Sequence, residues 1–467
     1  NSIDLITTLF AVVSLGAVFV PLSYRGRLDE WLHMLDSTHP KLLLASTRYL
    51  DGCQSVCQTM GTPPVIIPLV STSGHGDHIG ALAARAVPIP FEDVGDDDMA
   101  VLMFTSGSTA TSKAVMLAHA DLINYVCESV DCADGTERGA ALLSAPLHHI
   151  AGLTATLSAT FTGRRLVLMP QFDADTWLRL AERERVTHAF LVPTMLKRVL
   201  DSPQFPDTDL SRFEVLSYGA APMPLGVIRR ALEAFPSSVQ FINAFGQTET
   251  TSTVTMLSPD DHRLEGSADD IERKLRRLGS IGRPLPDVEV RIVDETGHSL
   301  PVGEIGEIAL RTPRTMRGYF GLGEATAATI HDGWLLTRDL AWMDEDGYIF
   351  LTGRKADLII RGGENIAPQE VELILESHPG VDEVAVIGVP DEEWGERICA
   401  VVVARPDVDI TDTDLIEWCR ERLASFKKPE VVIFAATLPR NPLGKLMRSE
   451  LRERFGPNTL NGEVHGK

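Results

Sequence analysis

Between residues 165 and 243 the sequence switches repeatedly between two hydrophobic periods, and few architectures accommodate that rhythm. Residues 165–169 read as a strand, 173–186 as an amphipathic helix, 187–192 as a strand, 195–201 as a helix and 213–218 as a strand. Residues 225–235 are again helical and lead into a short strand at 239–243. Alternation of this kind places parallel strands in one sheet with helices on its faces. From about residue 288 the texture changes to shorter strands (288–294, 304–311, 348–351) punctuated by Gly and Asp, which predicts a β-rich subdomain. Beyond residue 355 come strands at 384–387, 399–404 and 431–434 and a helix at 413–424, the pattern of a small α+β domain. The fold class expected is therefore α/β: a large N-terminal domain of parallel-rich sheets flanked by helices plus a β-rich subdomain, then a small, mobile α+β C-terminal domain.

Composition narrows the function classes. The 467 residues hold 44% apolar and 23% charged side chains, enough for a large core. With 43 Lys and Arg against 65 Asp and Glu the formal charge is −22, which repels polyanions and argues against nucleic acid as a partner. Six cysteines without a paired Cys-x-x-Cys spacing fit neither a disulfide scaffold nor a zinc site, and point to a reducing cytoplasm. Residues 5–24 carry no charge over a length that resembles a membrane span, but Thr7, Thr8, Ser14, Gly16 and Pro21 interrupt it. The expectation there is a buried helix followed by a strand, with no transmembrane segment and no signal peptide.

Chemistry first gathers in the run from Met103 to Val115. Thr105, Ser106, Gly107, Ser108, Thr109 and Lys113 combine hydroxyls, backbone N–H groups and a cation, the donors that phosphate oxygens need, in a turn between an apolar run and a helix-like segment. It is not a Walker loop, because Ser112 and Ala114 stand where Gly and Ser/Thr would be required. Seven further motifs follow. They are Pro146-Leu147-His148-His149, Tyr218-Gly219-Ala220-Ala221-Pro222, Phe245-Gly246-Gln247-Thr248-Glu249, Gly279 to Pro284, Thr337-Arg338-Asp339, Gly353 to Asp357 running on to Gly362-Gly363-Glu364-Asn365, and Pro439 to Lys445.

The ordered set resembles the adenylate-forming superfamily of acyl-CoA synthetases, nonribosomal adenylation domains and firefly luciferase, over nearly the whole chain. The resemblance implies domains at 1–353 and 358–467 joined by a hinge at 354–357, with the amino-terminal start seen in other members missing here. It implies ATP, Mg²⁺ and coenzyme A as cofactors, a small carboxylic acid as substrate, and a homodimer.

By the same resemblance the loop from Thr105 to Lys113 cradles phosphates. Gly219, Ala220, Ala221, Asn243, Ala244, Phe245 and Gly246 form the adenine site, with Phe245 stacking on the base rather than serving as core. Glu249 holds Mg²⁺ together with Thr105, beside Thr248, and Asp339 binds the ribose hydroxyls with Arg354 donating nearby. His149 gates the acyl carboxylate, while His148, adjacent in an extended segment, points the other way. Lys445 bridges substrate carboxylate and α-phosphate, and Gly362 and Gly363 provide a side-chain-free strand lining the pantetheine path. Gly, Pro and Gly usually stand where this chain has Ala110, Ser112 and Ala114, changes that stiffen or re-aim the turn because Ala resists positive φ. Gly is usual at Arg338, and Asp or Lys at Ala356.

Arg317-Gly318-Tyr319 and the segment from Val389 to Glu396, with Trp394, are closer to CoA ligases than to carrier-loading domains. The function implied is an acyl-CoA synthetase for an aryl, alicyclic or medium- to long-chain fatty acid, since the small residues Ala151, Gly152, Ala220 and Ala244 leave room for a bulky acyl group. A stand-alone enzyme loading an acyl carrier protein, or a catalytically degenerate nucleotide-binding homologue, stays open; luciferase-like oxygenation has nothing beyond the shared core in its favour.

Overall fold

Seven strands form the central sheet of this computed structural model, which describes residues 1–69, 79–87, 89–105, 112–406, 408–440 and 446–455. Five run parallel in the order Gln240–Gln247, Val215–Gly219, His188–Leu191, Ala140–Leu143 and Arg165–Leu168. Ser252–Leu257 and Arg283–Pro284 extend the first edge antiparallel. The helices Ala174–Arg183, Pro193–Asp201 and Leu225–Ala234 bury their apolar stripes (Trp177, Leu196, Ile228) in one cluster with Leu142, Leu191, Leu216 and Tyr218 of the strands. Local signals set their starts. Asp173 accepts the Thr176 N–H at 2.9 Å as an N-cap, a contact worth about 1 kcal/mol, and Pro193 occupies a first-turn position where no N–H is needed.

A second cluster joins the helix Ile150–Phe161 to an antiparallel hairpin, Met99–Thr105 and Lys113–Ala118. The segment after the hydroxyl-rich turn is thus a strand and not the start of a helix. Its apolar residues are buried nearly without interruption, so the period-2 signal is absent. Ala114 lies inside this strand opposite Phe104, has no positive φ and is buried, so a side chain there strains nothing. Residues 5–24 also differ from expectation. The helix Ile3–Ser14 stops before Gly16, whose φ is +65°, and its burial is partial, with Ile3 73% exposed. The chain that follows makes a single bridge, Phe19 to Val101, instead of a strand. Among the described residues no helix is long and apolar enough to cross a membrane.

The β-rich part is an antiparallel sheet of Glu289–Val293, Gly306–Arg311, Trp334–Met343, Ile330–His331 and Ile349–Arg354. Its longest member, Trp334–Met343, has no counterpart in the sequence reading; it turns Leu335, Thr337, Asp339 and Ala341 inward. The C-terminal sheet is built on the long hairpin Val381–Asp391 and Gly395–Ala404. It is flanked by the short hairpin Ile359–Arg361 and Glu364–Ile366 and by the parallel strand Val431–Phe434. The helices Pro368–Glu376 and Asp412–Arg420 close its core.

Candidate functional site

The C-terminal ends of Val215–Gly219 and Gln240–Gln247 lie side by side, and two glycines let the backbones approach. A Cβ at Gly219 would stand 2.1 Å from the carbonyl oxygen of its pairing partner Ala244, and one at Gly246 1.7 Å from that of Ser252. The chain leaves Gly219 through Ala220 at φ +65°, a left-handed conformation uncommon outside glycine, and continues into the half-buried Ala221. Asn243 donates to the Ser280 carbonyl at 3.0 Å, which joins two of the sequence motifs. Phe245 is half-buried against a cluster containing Val254, Ile281 and Ile349, so at least part of its surface serves as core. Tyr218, fully buried beneath this edge, donates to Nε2 of His262 at 2.8 Å.

Beyond Gln247 the chain tightens into the 3₁₀ turn Thr248–Thr250, with Thr248 and Thr250 buried. Glu249 is held there at both ends: its carbonyl accepts the Met316 N–H at 2.9 Å, and its Oε1 accepts the Tyr319 hydroxyl at 2.9 Å. Burial, reinforced by the Glu249 carboxylate, pushes the Tyr319 hydroxyl above its ordinary range. The Lys113 ammonium sits 4.9 Å from the centre of the same ring, and Lys113 pairs with Thr105 at the mouth of the hairpin. One carboxylate and a threonine hydroxyl are hard oxygen donors, a set that fits Mg²⁺ because that ion keeps several waters and shares phosphate oxygens. Ser106, Gly107, Ser108, Thr109 and Ala110 lie outside the described residues. At the far end of that loop His33 donates from Nε2 to the Ser112 carbonyl at 3.0 Å.

Asp339 is 7% exposed and pairs across the sheet with Arg354, whose Nε is 2.9 Å from Asp339 Oδ1. Arg354 thus sits in an ion pair one partner of which is buried. Arg338 precedes Asp339 with φ +63°, where the register of Trp334–Met343 slips against Gly306–Arg311 and the Arg338 N–H donates to Glu307 Oε1 at 2.9 Å.

His149 N-caps the helix Ile150–Phe161, its Nδ1 accepting the Ala151 N–H at 3.3 Å. His148 sets its ring edge-on to Tyr24 at 5.6 Å; burial, then the neighbouring His149, pushes it down to about 4, so it is neutral at pH 7. Gly152 leaves no room for an acyl group. A Cβ there would stand 2.2 Å from the Pro146 carbonyl, so the missing side chain is replaced by backbone packing.

Gly362 and Gly363 are not strand residues. Both have positive φ, +58° and +87°, and together they form the two-residue turn between Ile359–Arg361 and Glu364–Ile366, which needs left-handed backbone at both positions. A Cβ at Gly362 would meet the Trp394 ring at 2.9 Å, whereas one at Gly363 meets nothing within 4 Å. Trp394 is 44% exposed, with the Arg361 guanidinium 4.9 Å from its ring centre, and so is not core. Lys445 lies outside the described residues; its flanks Arg440 and Leu446 form a bridge.

Sequence reasoning assigned no role to Tyr319 or to Arg314. Arg314 is 1% exposed, paired with Asp287 at 2.6 Å, and its carbonyl accepts from Thr251 at 2.7 Å, which anchors the strap before Tyr319 beside the Glu249 turn. The Arg317-Gly318-Tyr319 motif was the available signal for the first.

Residues 1–320 match the AMP-binding enzyme family and residues 370–445 the AMP-binding enzyme C-terminal domain. A feruloyl-CoA synthase of an Amycolatopsis species is 37% identical over 96% of this chain and 86% of its own length. An indoleacetate–CoA ligase of Aromatoleum aromaticum is 32% identical over 98% and 88%. Among solved structures, ATP-bound MatB from Rhodopseudomonas palustris superposes with a TM-score of 0.87 at 31% identity, covering 97% of this chain and 87% of that one. The motifs, the fold and these likenesses agree, and the chain belongs to the AMP-binding enzyme family of the adenylate-forming superfamily.

Proposed function

We propose that this chain makes the CoA thioester of an aryl carboxylic acid. As a member of its family it is an ATP-dependent acid–CoA ligase that uses ATP, Mg²⁺ and coenzyme A. The aryl assignment takes its support from the two relatives named for aryl acids. The assignment of residues rests on one observation, the convergence of Glu249 and Lys113 on the ring and hydroxyl of Tyr319.

In the first half-reaction a carboxylate oxygen attacks the α-phosphorus of ATP and the bond to pyrophosphate breaks. In the second, the CoA sulfur attacks the acyl carbon, AMP leaves and the thiol proton passes to solvent. Asp339 accepts from the ribose hydroxyls while Arg354 holds it in place. Glu249, with Thr105 and beside Thr248, holds Mg²⁺, which offsets triphosphate charge. Lys113 pairs with phosphate oxygens together with the donors of Ser106, Gly107, Ser108 and Thr109, and Gly219 to Ala221 with Asn243 to Gly246 receive the adenine. His149, fixed by its capping contact, faces the carboxylate. Lys445 stabilises the charge that develops as pyrophosphate departs, and the Gly362-Gly363 turn borders the pantetheine path.

A pyrophosphate-release screen of carboxylic acids with MgATP and CoA tests the proposal. Hydroxycinnamic and arylacetic acids are expected to drive release and thioester formation. A clear preference for fatty acids would overturn the aryl assignment, and release independent of any acid would overturn the ligase reading.

A further inference from the structure

We propose that Tyr319 is the positioning residue of the metal and phosphate end of the site. Its hydroxyl fixes Oε1 of Glu249, and its ring face carries the Lys113 ammonium. This deepens the proposed function and rests on its reading of Glu249 as the Mg²⁺ carboxylate.

The side chain is suited to that task because its base cannot move. Residues 316–320 form a strap tied to the strand Lys113–Ala118: the Met116 N–H donates to the Gly318 carbonyl at 2.9 Å, the Phe320 N–H to the Ala114 carbonyl at 2.8 Å, and Val115 bridges Tyr319. The Tyr319 N–H donates to Thr326 Oγ1 at 2.9 Å, and the residue is only 7% exposed, within the cluster of Met103, Val115 and Leu153. The same strap reaches the other partner, since the Met316 N–H donates to the Glu249 carbonyl. The carboxylate and the ammonium come from segments far apart in sequence, yet one buried ring sets their relative position.

The hydroxyl has a second effect. A carboxylate on a tight turn has two equivalent oxygens and a freely rotating terminal torsion. Anchoring Oε1 removes that freedom and leaves Oε2 to the cation. The ring holds Lys113 by cation–π attraction, which keeps a long side chain near its working place at low entropic cost.

Two variants separate these roles. Tyr319→Phe keeps the ring and its packing and removes only the hydroxyl; Tyr319→Leu removes both. The measurement is equilibrium binding of ATP by calorimetry, across a Mg²⁺ series and with EDTA. Tyr319→Phe should need about tenfold more Mg²⁺ for half-maximal enhancement of ATP binding, the effect of one lost bond to a charged group, with metal-free ATP affinity unchanged. Tyr319→Leu should add a two- to fivefold loss of metal-free ATP affinity, on the order of one cation–π contact. Rescue of the metal-free affinity by Phe but not by Leu is the signature of the ring.

A wild-type Mg²⁺ dependence in Tyr319→Phe overturns the hydroxyl's role, and equal metal-free affinities in the two variants overturn the ring's. If Tyr319→Leu does not fold, Tyr319→Phe decides the hydroxyl by itself, and Tyr319→Met, which fills similar space without a ring, replaces Leu as the test of the ring: a two- to fivefold metal-free loss, on the order of one cation–π contact, supports it, and wild-type metal-free affinity overturns it. Failure of the wild-type protein to bind MgATP sinks the underlying site reading instead. That outcome is distinct from all of these.

Discussion

Arg354 Nε stands 2.9 Å from Asp339 Oδ1, and the two residues face each other across paired antiparallel strands. The pair joins the last residue of the strand Ile349–Arg354 to the strand Trp334–Met343, so the carboxylate that the proposed function gives to the ribose is oriented by a residue of the neighbouring strand. Asp339→Ala removes the acceptor and strands a half-buried guanidinium. A lost charged hydrogen bond costs roughly 1.5–3 kcal/mol, or about ten- to a hundredfold in affinity. ATP binding should weaken by that factor while the KM for the acid stays within about twofold. Titrating ATP into the variant checks this, and unchanged ATP affinity would mean that the pair is structural only.

Arg338 bears a side chain at φ +63°. A non-glycine residue in that region is strained by roughly 1–2 kcal/mol, and glycine recovers it at an entropic cost of about 0.5–1 kcal/mol. Arg338→Gly should therefore stabilise the fold by about 0.5–1 kcal/mol, read as a raised denaturation midpoint, whereas Arg338→Ala keeps the strain and should not. Equal midpoints for the two variants would show that the guanidinium and not the backbone decides stability here.

The parallel core was legible because its helices and strands carry clean periods: segments 165–169, 187–192 and 225–235 sit within a few residues of where alternation puts them. Legibility failed where burial erased the period. Lys113–Ala118 is apolar almost throughout because it is packed against the second cluster, and Ala114, Met116 and Ala118 read as helix formers. Trp334–Met343 hid behind Thr337, Arg338 and Asp339, polar residues that a sheet interior tolerates only because a neighbouring strand satisfies them: the Thr337 hydroxyl donates to the Ile308 carbonyl at 2.9 Å. A small residue misled for a related reason. Gly152 suggested open space, but its missing side chain admits the Pro146 backbone. The Arg317-Gly318-Tyr319 motif marked Tyr319 but not its task, because its partners Glu249 and Lys113 are distant in sequence and no local pattern encodes such a meeting.

His262 ties stability to pH beneath the strand Val215–Gly219, where it meets Tyr218. It is 3% exposed, its Nδ1 donates to the Ser258 carbonyl at 2.7 Å and its Nε2 accepts from Tyr218. Burial pushes its pKa from 6.5 down to about 4. The unfolded chain binds a proton below pH 6.5 and the folded one only near 4, so stability is full above 6.5 and falls as pH drops through that window. The group accounts for a loss on the order of 3 kcal/mol across it. His262→Gln should be less stable at pH 7 but show a shallower decline between pH 6.5 and 4, followed by urea unfolding at each pH. A parallel decline in both proteins would assign the acid sensitivity elsewhere.

Lys197 reaches from the helix Pro193–Asp201 of the large domain to the small one. Its ammonium contacts both oxygens of Asp382 at 2.9 Å and lies 4.0 Å from Glu383, which in turn takes Arg440 at 2.9 Å. Arg440 opens the segment that ends in Lys445 and is closed by the bridge to Leu446. The network therefore fastens this orientation of the domains next to the flank of the lysine that the proposed function assigns to adenylation. With side chains 27% and 35% exposed the contact is partly screened, and such pairs contribute about 0.2–1 kcal/mol. Lys197→Ala should slow acyl-adenylate formation by about two- to fivefold. Thioester formation from supplied acyl-adenylate, for which we propose that the small domain leaves this orientation, should be unaffected. Added salt should slow the first half-reaction of the wild type more than that of the variant, because only the wild type has the ion pair to screen. The double exchange Lys197→Asp with Asp382→Lys restores the pair with its sign reversed and should recover part of the rate. Equal loss in both half-reactions, with no recovery in the double exchange, would mean that the contact holds no particular domain orientation.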